Sequence, residues 1–477
     1  MTTNVPLWQP SPARIAAANV TEFARRVASE TGRSFPDYAS LWRWSNDERE
    51  AFWRAVWDYA GVVGERGERT LVDGHKMPGA RWFPDARLNF AENLLALRGC
   101  DDVADALVFR GEDRDRRRVT HGELTVLVAR VAAALTASGI VAGDRIAAFV
   151  PNLPEAIVAM LGATSFGAIW SSCSPDFGVR GVLDRFGQIE PRVLVTVDGY
   201  WYNGKALPIV DKLAEIVAGL PTVERVIVVP YLERSGGPIA NLSRIRGAVR
   251  WDDYLAPHAA GPIAFARLPF DHPVYILYSS GTTGVPKCIV HGAGGTLLQH
   301  LKEHLLHGDL KRGDRLFYFT TCGWMMWNWL ASGLAAGATL LLFDGAPFID
   351  RGRALWMFAE EERMTHFGTS AKYIDAAKKL GVVPRKDFKL TNLRTMFSTG
   401  SPLAEESFDY VYQCVKDDLC LSSISGGTDL MAGFADANPI LPVYRGELQC
   451  RGLGMDVQIF DAEGRPQINQ PGELVCT

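Results

Sequence analysis

Long hydrophobic runs are missing from this sequence: the longest, such as GLAAGATLLLF at 333–343, fall well short of the roughly 20 residues a helix needs to cross a bilayer. No membrane span is expected. Missing too is a basic opening segment followed by an apolar one, which removes a secretory leader and makes the cytoplasm the expected compartment. An excess of either charge is absent, because 50 Lys+Arg stand against 54 Asp+Glu for a net charge of −4. Such a balance gives no general pull toward nucleic acid. Eight cysteines are present at 100, 173, 288, 322, 414, 420, 450 and 476. They form no CxxC pair and no Cys/His spacing suited to zinc, so free thiols in a reducing compartment are expected. No internal repeat and no low-complexity segment interrupts the chain.

What is present is a chain of 477 residues, 47% hydrophobic and 22% charged, long enough for several domains and a large core. Residues 1–100 are rich in Trp and charge and read as a helical cap segment. Within it SLWRWSNDEREAFWRAVWDYAG, at 40–61, has the spacing of one helix with its Trp and Phe on the core side. From about 101 strands alternate with helices. Thr120 and Glu123 form a capping box, Leu124, Leu127, Val128, Val131 and Leu135 keep helical spacing, and Gly139 supplies a stop, which predicts a helix over about 121–138. The apolar strands RIAAFV (145–150), AIWSS (168–172) and RVLVTV (192–197) follow, with a helix opened by Asn152 and Glu155 after the first. Continuous apolar strands between helices predict an α/β fold whose parallel sheet is covered on both faces.

Residues 201–265 hold many Gly and Pro and read as a loop-rich connection around the strand-like RVIVV at 225–229. The alternation resumes with VYILYSS (274–280), LFYFT (316–320), TLLLF (339–343), THFG (365–368), RTMFSTG (394–400) and LCLSSIS (419–425), predicting a second parallel sheet. Residues 101–265 and 266–440 are thus expected to be two α/β subdomains. Residues 441–477, with the turn DAEG, read as the start of a small antiparallel unit. Its last strand, ELVC, has little room to pair, so further chain is expected beyond Thr477.

Three segments carry chemistry. YSSGTTGVPK, Tyr278 to Lys287, leaves a strand for a loop in which Gly281 and Gly284 let the backbone approach a ligand. Ser279, Ser280, Thr282 and Thr283 offer hydroxyls there and Lys287 a positive charge, a set suited to a polyphosphate. It is not a Walker A loop, since the spacing differs and no Ser or Thr follows the lysine. STGSPL, at 398–403, follows the strand RTMF, and Gly400 and Pro402 fix a sharp turn toward a helix. SISGGTD, at 423–429, ends another strand, and strand ends on one side of an open parallel sheet are where such folds bind ligands. By itself each segment also reads as a plain turn.

The ten residues from Tyr278 to Lys287 resemble the phosphate loop of the adenylate-forming superfamily of acyl-CoA synthetases, adenylation domains and luciferases. The resemblance implies that Ser279, Ser280, Gly281, Thr282, Thr283, Gly284 and Lys287 hold the ATP phosphates, with Thr282 or Thr283 near magnesium. Gly400, Ser401 and Pro402 would line the adenine and ribose. Ser423, Ile424, Ser425, Gly426, Gly427 and Thr428 match the stretch beside the α-phosphate, and Asp429 stands where the family usually carries a glutamate that binds Mg²⁺. Thr282, Lys287, Thr428 and Asp429 are the expected catalytic groups.

FPDARLNFAENLL at 83–95, residues 151–186 and residues 322–345 resemble the acetyl-CoA synthetase branch and, within it, ligases for acetoacetate. Where acetate enzymes close the acyl pocket with a tryptophan this sequence has Gly426, which by analogy opens room for a longer acid, with Thr399 and Ser425 near enough to address a ketone. Trp324, Met325, Met326 and Trp327 would form the opposite wall, or else a helix packed into the core. Lys205 matches a residue set against the 3′-phosphate of coenzyme A, the alternative being a solvated surface lysine. The implied activity joins acetoacetate to coenzyme A at the expense of ATP, on small-molecule substrates alone. A ribose-binding aspartate, a hinge and a mobile C-terminal domain are expected beyond residue 477, so full turnover by these residues alone is not. Propionate, 3-hydroxybutyrate or acetate as the acid, a luciferase-like oxidation of the adenylate, and a nucleotide-binding module without catalysis remain alternatives. His300, His304 and His307 have helical spacing with no carboxylate evident beside them, and are expected on a helix surface. Cys288 is expected to be structural.

Overall fold

The computed structural model describes residues 5–112, 115–279 and 284–477. They form two compact units: a smaller one of residues up to Val62, Leu298–Lys311 and Ala359–Thr477, and a larger one of Val63–Leu297 and Arg312–Phe358.

The larger unit contains a seven-stranded sheet in the order Ala248–Arg250, Arg225–Val229, Val193–Val197, Arg145–Phe149, Ile169–Cys173, Pro273–Ser279 and Lys287–Gly292. Its pairs are parallel apart from the last, which is antiparallel. Strands 169–173 and 193–197 are buried at every position, as a sheet covered on both faces requires. Helix Pro154–Ser165 is buried all round, so it runs through the interior. A second group pairs Arg116–Thr120 antiparallel to Asp105–Gly111, which runs parallel to Thr339–Asp344 and then Arg315–Tyr318. In the smaller unit His366–Ser370, Thr395–Thr399 and Cys420–Ser423 are successive parallel strands.

Helix His121–Ala137 has the expected capping box: Glu123 N donates to Thr120 Oγ1 at 3.2 Å and Thr120 N to Glu123 Oε2 at 2.8 Å. Such a cap is worth about 1 kcal/mol. Elsewhere the structure corrects the sequence. Strand 273–279 belongs with 145–149 and 169–173, through Tyr275 opposite Trp170, and not with 315–318. Pairing partners are set by long-range packing, which an apolar run does not encode. Residues 201–265 are more than a connection. They contain Val210–Ala218, which buries Leu213, Ile216 and Val217, followed by strands 225–229 and 248–250. Here Pro208, Gly219 and Pro230 bound short elements instead of replacing them.

Asn152 caps no helix. The helix begins at Pro154, and Asn152 Oδ1 accepts the indole N–H of Trp327 at 3.0 Å. Residues 40–61 make two helices, Tyr38–Asp47 and Arg49–Ala60, separated at Glu48 (φ −114°, ψ 46°), and both bury tryptophans. The strand Glu473–Cys476 does pair, antiparallel to Val457–Phe460. No described helix is long and apolar enough to cross a membrane.

Candidate nucleotide site

In the smaller unit two neighbouring parallel strands, Thr395–Thr399 and Cys420–Ser423, end together with Ser398 opposite Ser423. The first ends at Gly400, whose φ of 89° is a left-handed value that a residue with a Cβ adopts only under strain. The chain therefore turns tightly and leaves Ser401 and Pro402 exposed. Two hydrogen bonds tie the strand ends: Ile424 N to Ser398 O and Thr399 Oγ1 to Ile424 O, both 2.8 Å.

Between these turns lies a cavity of about 360 Å³, lined by Thr399, Gly400, Ser401 and Pro402 from one and Ser423, Ile424, Ser425 and Gly426 from the other. That volume falls within the roughly 300–1,000 Å³ of small-molecule sites. Two separate motifs thus meet in one pocket. Leu403, Phe408, Gly446 and Leu448 complete the lining and supply apolar surface. Sequence reasoning missed them: Phe408 lies on a helix with no distinguishing spacing, and Leu448 comes from a later loop.

Ser425–Gly427 forms a hairpin with Ala432–Asp436, with Gly426 opposite Gly433. A Cβ at Gly426 would land on the Ala432 carbonyl oxygen, closer than real Cβ atoms approach, and 3.0 Å from Gly433 Cα. Close backbone approach demands glycine here. The expectation that Gly426 simply vacates the space of an indole is therefore corrected, since no side chain fits without moving the hairpin. Thr399 is corrected as well, because its hydroxyl proton is committed to Ile424 O and cannot be donated to a ketone. Ser425 carries no such commitment among the described residues.

The hairpin turn carries half-buried Thr428 and exposed Asp429, closed by Met431 N donating to Gly427 O at 3.1 Å. Met431 itself has φ 55°, a strained value for a residue with a long side chain. Among the described residues no group of three or more His, Cys, Asp or Glu could hold a metal ion. Asp429 is thus a single carboxylate, a donor set that suits Mg²⁺ sharing its shell with phosphate oxygens and water.

Of the loop expected to hold phosphate, Ser280, Gly281, Thr282 and Thr283 lie outside the described residues. Its flanks face one another in the larger unit, with Ser279 opposite the exposed Lys287. Gln188 Nε2, on helix Val179–Ile189, donates to Pro286 O at 2.8 Å and anchors the returning strand. Gly284 has φ 129°. Burial raises the Cys288 thiol above its ordinary range, which keeps it protonated and a poor nucleophile.

Met326 and Trp327, on helix Met325–Ser332, are buried, and Trp327 stacks on Trp170 at 6.3 Å between centroids. Trp324 and Met325 retain accessible surface. Exposed Lys205 follows the Asn203–Gly204 turn of a tight hairpin, where both residues have positive φ. Glu112 accepts both turn amides, that of Asn203 at 2.8 Å. The histidines depart most from expectation. His300, His304 and His307 are all buried, and the carboxylates of Glu303 and Asp436 lie among them.

Comparison with known proteins agrees with this geometry. Residues 99–477 match the AMP-binding enzyme family, and residues 38–94 match the acetyl-coenzyme A synthetase N-terminus. The chain is 55% identical over 474 residues to an acetoacetyl-coenzyme A synthetase of Rhizobium meliloti, covering 99% of this chain and 71% of that protein. It is 41% identical to a malonamoyl-CoA synthetase of Penicillium aethiopicum, covering 98% and 68%. The solved acetoacetyl-CoA synthetase from Streptomyces lividans superposes with a TM-score of 0.93 at 44% identity, over 99% of this chain and 72% of that one. Two converging turn motifs and these matches lead to one assignment: the chain belongs to the AMP-binding enzyme family.

Proposed function

We propose that this chain is an AMP-forming acid–thiol ligase that activates acetoacetate and passes it to coenzyme A. The observation that carries this reading is the cavity at 399–402 and 423–426, in a chain 55% identical to an acetoacetyl-coenzyme A synthetase. Adenosine would occupy that cavity, its base against Phe408 and Leu448 and the backbone of Gly400–Pro402.

A carboxylate oxygen of acetoacetate attacks the α-phosphorus of ATP. The new O–P bond forms as the bond to the β-phosphate oxygen breaks, and pyrophosphate leaves with the electron pair. Lys287 and the hydroxyls of residues 279–283 neutralise the charge gathering on that leaving group, and Thr428 addresses the α-phosphate oxygens. The substrate acid is already ionised, so this step needs no general base. In the second step the sulfur of coenzyme A attacks the acyl carbon, the thiol proton passes to solvent, and AMP departs. Mg²⁺, when bound, supplies further neutralisation of the polyphosphate, and Asp429 would hold it. Lys205, presented by the turn that Glu112 secures, would meet the 3′-phosphate of coenzyme A. The proposed setting is the cytoplasm, where all eight cysteines can remain thiols.

The relatives act on acids with a second carbonyl at C3, acetoacetate in one case and malonamate in the other. A free hydroxyl donor in the acyl pocket would favour such acids over propionate or acetate, and Ser425 would be that donor. Malonamate is accordingly the second reading. Acyl-CoA and AMP formation is measured with acetoacetate, malonamate, 3-hydroxybutyrate, propionate and acetate in parallel. Acetoacetate should be preferred, and ADP as product or a preference for acetate would contradict the proposal.

A further inference from the structure

One face of the segment that closes helix Ala293–Lys302 is polar yet buried, and the reaction makes no use of it. His300, Glu303 and His307, the last two in a single π-helical turn, Glu303–His307, reach the backbone of the hairpin's returning strand one after another. His300 Nε2 donates to Met431 O at 3.1 Å, Glu303 Oε1 accepts Gly433 N at 2.9 Å, and His307 Nδ1 donates to Ala437 O at 2.8 Å. Short π-helical turns recur at functional sites. Behind this ladder Lys302, wholly buried, sets its Nζ 3.5 Å from Glu303 Oε1 and 3.6 Å from Asp436 Oδ2, ion-pair distances longer than good hydrogen bonds. Asp436 fills a niche that only glycine leaves open: a Cβ on Gly433 would overlap its carboxylate, and one on Gly452 would come within 2.7 Å.

We propose that Glu303, braced by Lys302 and Asp436, is a positioning residue for the hairpin 425–436: by holding the Gly433 amide it fixes the backbone that presents Gly426, Thr428 and Asp429, and so sets nucleotide affinity without touching the nucleotide. The register supports this directly, since Gly433 is the partner of Gly426 and Gly426 lines the cavity. His300 acts at the same hairpin, holding the carbonyl of the strained Met431. The inference rests on the nucleotide reading of that cavity.

The brace is also titratable. Burial, with the neighbouring Asp436 charge, lifts the Glu303 carboxyl from its ordinary 4.5 to about 7, against the pull of Lys302 and the Gly433 amide. Burial raises Asp436 too. Among the described residues the other titratable groups set against this pair are His307, Tyr38 and Cys450. Tyr38 and Cys450 remain protonated, because burial raises both. His307 is neutral: burial and the Lys302 charge push it down to about 3, and its Nε2 already accepts Leu453 N at 3.1 Å. Its 3.9 Å approach to Asp436 is therefore not an ion pair at neutral pH. Ionised Glu303 attracts both the amide and Lys302. Protonation weakens both attractions, so the brace loosens as pH falls through about 7.

The test uses the full chain, with AMP as probe. Dissociation constants are measured calorimetrically from pH 6 to pH 8.5 for the wild type and for Glu303→Gln, with hydrogen exchange of peptides covering 425–436 and 395–399. At pH 8 the variant should bind AMP about tenfold more weakly, and the gap should close to about twofold or less at pH 6. Exchange should rise over 425–436 and stay unchanged over 395–399. Equal affinities at every pH, or exchange rising equally in both segments, would overturn the proposal, the latter marking a merely structural group. Should Glu303→Gln not fold, Asp436→Asn and the wild-type pH profile decide: a profile flat beyond what AMP's own phosphate titration contributes overturns the inference. A wild type that binds no AMP at any pH overturns the nucleotide reading along with it, whereas a wild type that binds beside an indifferent variant overturns this inference alone.

Discussion

Each unit buries a carboxylate among cations, and the two behave in opposite ways. In the larger unit Glu155 sits between Arg117 and Arg234, with Oε1 at 2.5 and 2.6 Å from their guanidinium nitrogens. Burial alone would raise its pKa, yet the two guanidiniums outweigh burial and hold it below the ordinary value. In the smaller unit one lysine serves two carboxylates, Glu303 and Asp436, and burial wins, so both are raised. The count of cations per carboxylate decides the direction. The Glu155 group is a rivet indifferent to pH near neutrality, while the Glu303 group is poised to titrate there, beside the cavity read as the nucleotide site.

The comparison breaks first at Lys302. Lys302→Met removes the one lysine that pairs with both carboxylates among the described residues and should destabilise the protein by about 3–5 kcal/mol at pH 8, measured by urea unfolding. Wild-type stability there would show that Lys302 is no brace. Glu155→Gln should cost less, about 2 kcal/mol, because Arg117 and Arg234 keep Asp115 and Asp252 as second partners. That cost should not change between pH 6 and pH 8, and a pH-dependent loss would erase the distinction between the groups.

The pH series sharpens it further. Native Glu303 keeps its proton up to about 7, whereas in the unfolded chain it loses it near 4.5. Between those values the native state holds more protons, so its contribution to stability falls as pH rises, by at most about 1.4 kcal/mol per pH unit. The advantage of wild type over Glu303→Gln should accordingly shrink from pH 4.5 to pH 7, and an advantage that grows would reverse the assigned sign. The smallest stability effect belongs to exposed Asp429. Asp429→Asn should shift unfolding by less than about 0.5 kcal/mol while sharply reducing adenylate formation, and wild-type pyrophosphate exchange would remove Asp429 from the site.

The motif turns were legible because their chemistry is local. Gly400 and Pro402 announce a tight turn wherever they fall, and Ser423–Gly426 ends an apolar strand, so both halves of the cavity could be named before their meeting was seen. The buried brace was not legible. Lys302, Glu303 and His307 have the polarity of a solvated helix face, and Asp436 approaches them only through the folded hairpin. Gly426 lines the cavity, yet the constraint that demands glycine there is the Ala432 carbonyl across the hairpin, which sequence alone does not reveal. Strand 273–279 was read as a strand yet given the wrong neighbours, because its apolar run is compatible with either sheet.

The central claim is that the cavity between Gly400–Pro402 and Ser423–Gly426 holds adenosine while acetoacetate is activated beside it. A crystal structure with a nonhydrolysable acetoacetyl-adenylate analogue tests this most directly. The account predicts the adenine against Phe408 and Leu448 with its phosphate near Thr428; density for the analogue elsewhere in the protein, with this cavity filled only by water, would contradict it.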